Sequence, residues 1–244
     1  MAIEAKPQRQ RISELVCNEI TEMIISKMKS GDRLPPESEL SSMFNVGRST
    51  VREALSMLES IGFVEKNGGG TYVSSSPKDC LVEPLSLMIN MKFVQLSDIL
   101  QMRRIMEIEA IKLAINNAGK DDIRNLENII WMMQKPALTS EEFVELDKQF
   151  HHAIASASGN AVMFHFIKDI NTVISKFMDK LCIELKDSRD ISLPHHKKTL
   201  EGILTKNLDL AVEGMTSHLM DGEKAVSNEY SLKLKMNVKH GNPQ

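Results

Sequence analysis

The amino-acid sequence predicts a mainly α-helical protein in two parts: a small amino-terminal unit that closes with a β-hairpin, and a larger all-α bundle. Three observations lead there. Apolar residues recur at spacings of three and four through most of the 244 residues, as in helices that bury one face. The period shortens only at Gly62-Phe63-Val64-Glu65 and Thr71-Tyr72-Val73, on either side of the turn Asn67-Gly68-Gly69-Gly70. Aromatic residues make up 5% while methionines number 16, a composition that suits helical packing better than a β-sandwich.

The elements follow in order. Ile12, Leu15, Val16, Ile20, Met23 and Ile24 mark an amphipathic first helix, stopped at Gly31-Asp32. Leu34-Pro35-Pro36-Glu37 restarts a helix with proline and acid in its first turn, with Leu40, Met43 and Phe44 as its inner face. Asn45-Val46-Gly47 is a tight break. Val51, Ala54, Leu55 and Leu58 then define a third helix. Two short helices across a three-residue turn, followed by a hairpin, make a winged helix-turn-helix. Ser74-Ser75-Ser76-Pro77 is the clearest linker. Beyond a short bridging helix at 82–91, periodicity predicts helices near 95–118, 121–135, 139–158, 160–187, 194–206 and 208–228. Thr139 and Glu142 form a capping box, and Pro194 is expected to open the next-to-last helix. The expected domains are 9–76 (winged helix-turn-helix), 77–94 (linker and connecting helix), 95–230 (all-helical, holding metal and effector) and 231–244 (a frayed tail).

Charge and cysteine usage narrow the function classes. Lys and Arg total 30 against 33 Asp and Glu, a net charge of −3, which excludes a polybasic nucleic-acid coat. A DNA reader with a small local patch remains open. Residues 1–75 hold 9 Lys/Arg against 10 Asp/Glu, so its non-specific affinity is expected to be weak. Cys17, Cys80 and Cys182 lie far apart with no CxxC, which argues against a disulfide framework or thiolate zinc module and for a reducing cytoplasm. The first ten residues carry no apolar signal core and no apolar run reaches 18 residues, so neither export nor a membrane span is expected.

The start of the third helix carries Arg48, Ser49, Thr50 and Arg52. In a helix-turn-helix this end faces base edges in the major groove, where arginine forks onto guanine and hydroxyls suit phosphate oxygens. The glycines of the hairpin tip let backbone approach a sugar-phosphate rail closely. The plain alternative is a solvated face with two surface arginines. The strings Arg33-Leu34-Pro35-Pro36-Glu37-Ser38-Glu39-Leu40-Ser41 and Val46-Gly47-Arg48-Ser49-Thr50-Val51-Arg52-Glu53-Ala54-Leu55, with Gly62-Phe63-Val64 and Gly70-Thr71-Tyr72-Val73, resemble the GntR-type winged-helix regulators. The resemblance implies that Arg48, Ser49, Thr50 and Arg52, with the wing glycines Gly68 and Gly69, contact a palindromic DNA operator as a homodimer. Ser38 stands where such proteins often place an arginine, a difference that bears on the half-site sequence.

All seven histidines follow residue 150. Asp147 and His151 are four apart, on one helical face with Phe143, Phe150 and Ile154, so both point at or beside the core. His196 shares a stripe with Leu200 and Ile203, whereas His195 lies at the polar boundary with Lys198 and Thr199. His218 shares a stripe with Ala211, Met215, Leu219 and Gly222. His196 and His218 each stand 11 residues from a break at Asn207, which places them level in an antiparallel hairpin. Three imidazoles and one carboxylate suit zinc, nickel or another imidazole-binding divalent ion such as manganese. The alternative is a metal-free polar core network. His152, His165, His195 and His240 are left out, His165 being the strongest rival. Asp147-Lys148-Gln149-Phe150-His151, Ala155-Ser156-Ala157-Ser158-Gly159-Asn160, His196 and His218 resemble the FCD effector domain of the FadR-like GntR subfamily. In that resemblance Asp147, His151, His196 and His218 match the metal ligands.

Arg103, beside Ile99, Leu100 and Met106, is either an i,i+4 partner of Glu107 or a clamp for an effector carboxylate, the role its place in the resemblance implies. The function expected is a ligand-responsive transcriptional regulator, a repressor, controlled by a small carboxylate or sugar acid. The competing classes are a metal-dependent hydrolase and a metal-free effector-binding regulator.

Overall fold

The structure is a computed structural model and describes residues 11–74, 81–180 and 188–240. The chain divides into two compact units, residues 1–80 and 81–244. The first holds α1 (Ile12–Lys27), α2 (Glu37–Met43), α3 (Arg48–Ser60), β1 (Val64–Asn67) and β2 (Gly70–Val73). Its core is Val16, Ile20 and Ile24 from α1, Leu40 from α2, Val51, Ala54, Leu55 and Leu58 from α3, and Val64 and Val73 from the hairpin. Ile12 and Leu15, expected inside, are exposed, because the buried stripe of α1 runs Ser13, Val16, Ile20, Ile24. Met43, expected inside α2, is exposed as well, and Leu40 alone anchors that short helix.

The turn before α3 reverses at Asn45, whose φ of +52° suits asparagine, and Ser41 Oγ donates to the Val46 carbonyl to hold it. The hairpin is antiparallel, pairing Val64 with Val73 and Asn67 with Gly70. It has a third edge that periodicity did not show. Arg33 bridges to Tyr72, Leu34 N–H donates to the Thr71 carbonyl and Val73 N–H to that of Asp32, both at 2.8 Å. The segment before α2 is thereby sewn to the wing. Of the linker at 74–77, only Ser74 lies within the described residues; Cys80 and Cys182 lie outside them, and Cys17 is a free thiol.

The second unit comprises α4 (Val82–Asn90), α5 (Leu96–Asn117), α6 (Lys120–Met133), α7 (Ser140–Ala157), α8 (Ala161–Lys180), α9 (Ser188–Leu204) and α10 (Leu208–His240). Phe143, Phe150, Ile111, Leu126, Met133, Ile154, Ile167 and Met215 are fully buried at its centre. Each contributes about 1.5–3 kcal/mol by leaving water. A second cluster joins Val82 of α4 to Ile99, Leu100, Ile170, Val173, Ile174 and Val226. The capping box at α7 is present: Glu142 N–H donates to Thr139 Oγ1 at 3.2 Å and Thr139 N–H to Glu142 Oε2 at 2.8 Å. Two expectations are corrected. Pro194 lies inside α9 rather than opening it. Proline there forgoes the bond to the Asp190 carbonyl, and Asp190 is exposed, so water can take its place. The last helix runs to His240, past the end expected near residue 228 and through most of the expected frayed tail.

Candidate metal centre and nucleic-acid interface

The side chains of Asp147, His151, His196 and His218 converge from α7, α9 and α10. One ligand atom from each lies within 4.8 Å of every other. Asp147 Oδ1 is 3.3 Å from His196 Nε2 and 3.7 Å from His218 Nε2, and Asp147 Oδ2 is 3.6 Å from His151 Nε2. His151 Nε2 and His218 Nε2 are 3.0 Å apart. All three histidines are buried, and Asp147 is half-buried. Burial pushes the pKa of His196 and of His218 well below the usual histidine value, helped by the neighbouring imidazoles, so each offers a neutral lone pair.

The packing of α9 on α10 sets this convergence. The connection is three residues long, 205–207, and Asn207 Oδ1 accepts the Leu210 N–H at 3.1 Å to start α10. Two glycines bring the helices into backbone contact. A Cβ on Gly202 would strike the backbone of Ala211, and one on Gly214 would lie 2.7 Å from Thr199 N and 2.9 Å from the His195 carbonyl. His195 turns away, its Nε2 lying 3.3 Å from Asp221 Oδ2. His165 stacks edge-on against Phe164 and is not in the set.

The donors fit a divalent ion. An ion about 2.0–2.2 Å from nitrogen and oxygen ligands needs those ligands about 3–4 Å apart, as most of these are. Among the described residues, Asp147 Oδ1 and both ring nitrogens of His196 are buried without a hydrogen-bond partner. One ion would satisfy two of the three together, Asp147 Oδ1 and His196 Nε2, which lie 3.3 Å apart; a buried polar atom left unpaired costs about 1–3 kcal/mol.

Behind the cluster lies a residue that sequence reasoning had named only as a neighbour of Arg103. Glu107, 2% exposed, bonds His151 Nδ1 through Oε2 and accepts the Arg103 Nε–H at 2.7 Å through Oε1. Burial alone would raise its pKa, but the Arg103 guanidinium and His151 outweigh that and hold its carboxyl well below the usual carboxylate range. A carboxylate on the far nitrogen of a ligating histidine fixes its tautomer and orientation. The signal was present: Glu107 falls on the buried stripe of α5 with Leu100, Ala110, Ile111 and Ala114. Arg103 also lines a cavity of ≈ 50 Å³ together with His218, Glu223, Leu100, Ile174 and Val226.

On the first unit, α3 opens after Gly47 with Arg48 and Ser49 exposed and Thr50 half-buried. Arg52 is exposed and ion-paired to Glu37 at 2.9 Å. Gly68 and Gly69 sit exposed at the hairpin tip with φ of +54° and +79°, a conformation that favours glycine. The structure thus brings together one helix end and one wing. It adds Arg33, Glu37 and Lys66, which line a groove of ≈ 400 Å³ beside the tip.

A winged helix-turn-helix followed by a helical bundle with a convergent ligand set is the layout of a transcriptional regulator with a sensing domain. Comparison with known proteins agrees. Residues 12–73 match the family "Bacterial regulatory proteins, gntR family", and residues 98–221 match the FCD domain. The chain belongs to the GntR family of bacterial regulators and carries an FCD domain. It is 28% identical over 209 residues to the HTH-type transcriptional regulator LutR of Bacillus subtilis, covering 84% of this chain and 95% of that one. To the HTH-type transcriptional repressor NanR of Cronobacter sakazakii it is 28% identical over 218 residues, 86% of this chain and 84% of the other. The solved structure titled "Streptococcus agalactiae GntR" superposes with a TM-score of 0.70 at 27% identity, covering 88% of this chain and all of that one. These are regulators, not enzymes, and the hydrolase alternative finds no support among them. No described helix is long and apolar enough to cross a membrane.

Proposed function

We propose that the chain is a cytoplasmic, homodimeric, metal-containing repressor released from a palindromic operator by a small organic acid. Residues 9–76 read DNA, with Arg48 and Arg52 aimed at bases, Ser49 and Thr50 at phosphate, and Gly68 and Gly69 against the sugar-phosphate rail. Residues 95–230 sense the effector, coupled through 77–94. Asp147, His151, His196 and His218 would hold one divalent cation, zinc before nickel or manganese, because three imidazoles favour a borderline-soft ion. When bound, that ion supplies a Lewis-acid grip on a carboxylate oxygen. Arg103 takes the other side of the carboxylate, its Nε fixed by Glu107 and its remaining N–H groups available for the ligand.

The observation that carries this is the convergence of four ligand atoms within 4.8 Å of one another, among them Asp147 Oδ1 and His196 Nε2, which are buried without a hydrogen-bond partner and which one ion would satisfy together. The cavity beside Arg103, ≈ 50 Å³, holds about one or two waters and is smaller than a hydroxy acid. Effector entry therefore spreads α5 from α10, which gives the ligand different affinities for two bundle states, as ligand-controlled release requires. The test is metal analysis of protein purified without a nickel column, with melting curves in the presence and absence of chelator. About one divalent ion per chain and a chelator-lowered melting temperature support the reading. Metal-free protein whose melting is blind to added zinc, nickel and manganese refutes it.

A further inference from the structure

Arg52 does not stand alone on the recognition helix. Its Nη2 lies 2.9 Å from Glu37 Oε2 and its Nε 3.4 Å from Glu37 Oε1, a two-bonded fork between α3 and the first residue of α2. The pair raises the pKa of Arg52 and lowers that of Glu37, chiefly through this hydrogen bond. As a source of stability it counts for little, because the Arg52 side chain is 65% exposed and Glu37 33%. A weak, exposed pair on the face proposed to meet DNA calls for a geometric explanation.

Guanidinium carries five N–H donors in a rigid plane. The fork to Glu37 consumes the Nε–H and one Nη2–H. The edge formed by Nη1 and the second Nη2–H stays open, two parallel donors in the spacing that guanine O6 and N7 accept. An arginine without such a brace has several rotatable bonds, and phosphates surround it on DNA. It would settle on the nearest phosphate, where it adds affinity and reads nothing. The Glu37 carboxylate also repels that phosphate. It lines the groove with Arg33, Lys66 and the wing glycines, the side to which the proposed reading assigns the sugar-phosphate rail.

We propose that Glu37 is a specificity-determining positioning residue, whose carboxylate holds Arg52 for base recognition and penalises phosphate contact. This rests on the assignment of α3 as the reader. It goes beyond it by giving an acidic residue outside α3 control over what α3 reads. Removing Glu37 is expected to tighten binding to DNA in general while blurring the sequence preference, the opposite of what loss of an ordinary contact does.

The test uses the full-length protein and a pool of duplexes with a randomised central segment, sequenced after selection by wild type, E37Q, E37D, R52A and E37Q/R52A. A scrambled duplex is titrated in parallel over a salt series. Wild type is expected to enrich a two-fold motif, and R52A to lose base preference at one position per half-site. E37Q should lose preference at that same position, with the ratio of selected-site to scrambled-site affinity falling roughly tenfold. Its affinity for the scrambled duplex should rise, and its salt slope steepen by about 0.9 per chain as Arg52 takes up a phosphate. E37D keeps the charge at the start of α2 but shortens the arm. It should lose the base preference without the full gain on scrambled DNA, which separates positioning from any effect on α2. In the R52A background, E37Q should change preference no further. If E37Q and E37D select the wild-type motif while R52A does not, Glu37 is only a helix-end acid and the proposal is wrong. If R52A itself selects the wild-type motif, α3 is not the reader and the underlying assignment falls.

Discussion

At the scale of single residues, His151 shows how the second unit divides its labour. One ring nitrogen meets Glu107 and the other meets His218, so the imidazole links a buried ion pair to the candidate ligand set. His196→Ala and His218→Ala are each expected to abolish the ion, read by metal analysis of the purified variants, while His195→Ala keeps it because that ring faces Asp221. Equal losses at positions 195 and 196 would undo the register on which the ligand set depends. In the reader, Arg48→Ala is expected to weaken operator binding by about 1–3 kcal/mol and to relax preference at one base pair. Binding isotherms on operator variants measure both. The inward stripes of α7, α9 and α10 were legible because helical period fixes direction. Glu107 was harder. A glutamate on a buried stripe looks like an error until its two partners are known, and one of them lies on α7, 44 residues along the chain.

The α9–α10 hairpin is the element on which the centre depends, and its spacing was legible for an arithmetic reason. Equal counts from Asn207 put His196 and His218 at one level whatever the sequence between them. How closely the helices approach was not legible, since glycine inside a helix also reads as plain weakness. Gly214→Ala would drive its new methyl into Thr199 and the backbone of His195, beside the candidate ligand His196. We expect a loss of about 1–3 kcal/mol in folding stability, measured by denaturant titration, together with a fall in metal affinity. Unchanged metal affinity would mean that the helices slide without parting His196 from His218. Other elements defeated local pattern for separate reasons. Pro194 resembled a helix start because its residues look like a first turn, whereas α9 begins six residues earlier, at Ser188. The pairing of Asp32 and Leu34 with the wing joins segments 37 or more residues apart, which periodicity within either one does not reveal.

For the whole molecule, the expectation is that sensing and reading separate cleanly. Operator-binding titrations across a panel of hydroxy acids, sugar acids and dicarboxylates should find an acid that releases wild type from DNA while Arg103→Ala and His151→Ala stay bound, each with unchanged affinity in the absence of effector. An Arg103→Ala protein that responds like wild type would leave the arginine as a structural partner of Glu107 alone. The ion pair between those two has a further consequence when formal charges are counted across the buried centre. Arg103 and Glu107 cancel, as do Arg104 and Glu223, which are bonded at 3.0 Å. With the histidines in the neutral form that ligation requires, Asp147 leaves these side chains one negative charge in excess. A divalent ion turns that into one positive charge in excess, and a medium of low polarity resists either imbalance. A ligand carrying a single carboxylate brings the interior to neutrality, whereas an amine or a second carboxylate would take it away again. On that count the proposed centre would select by valence before it selects by shape.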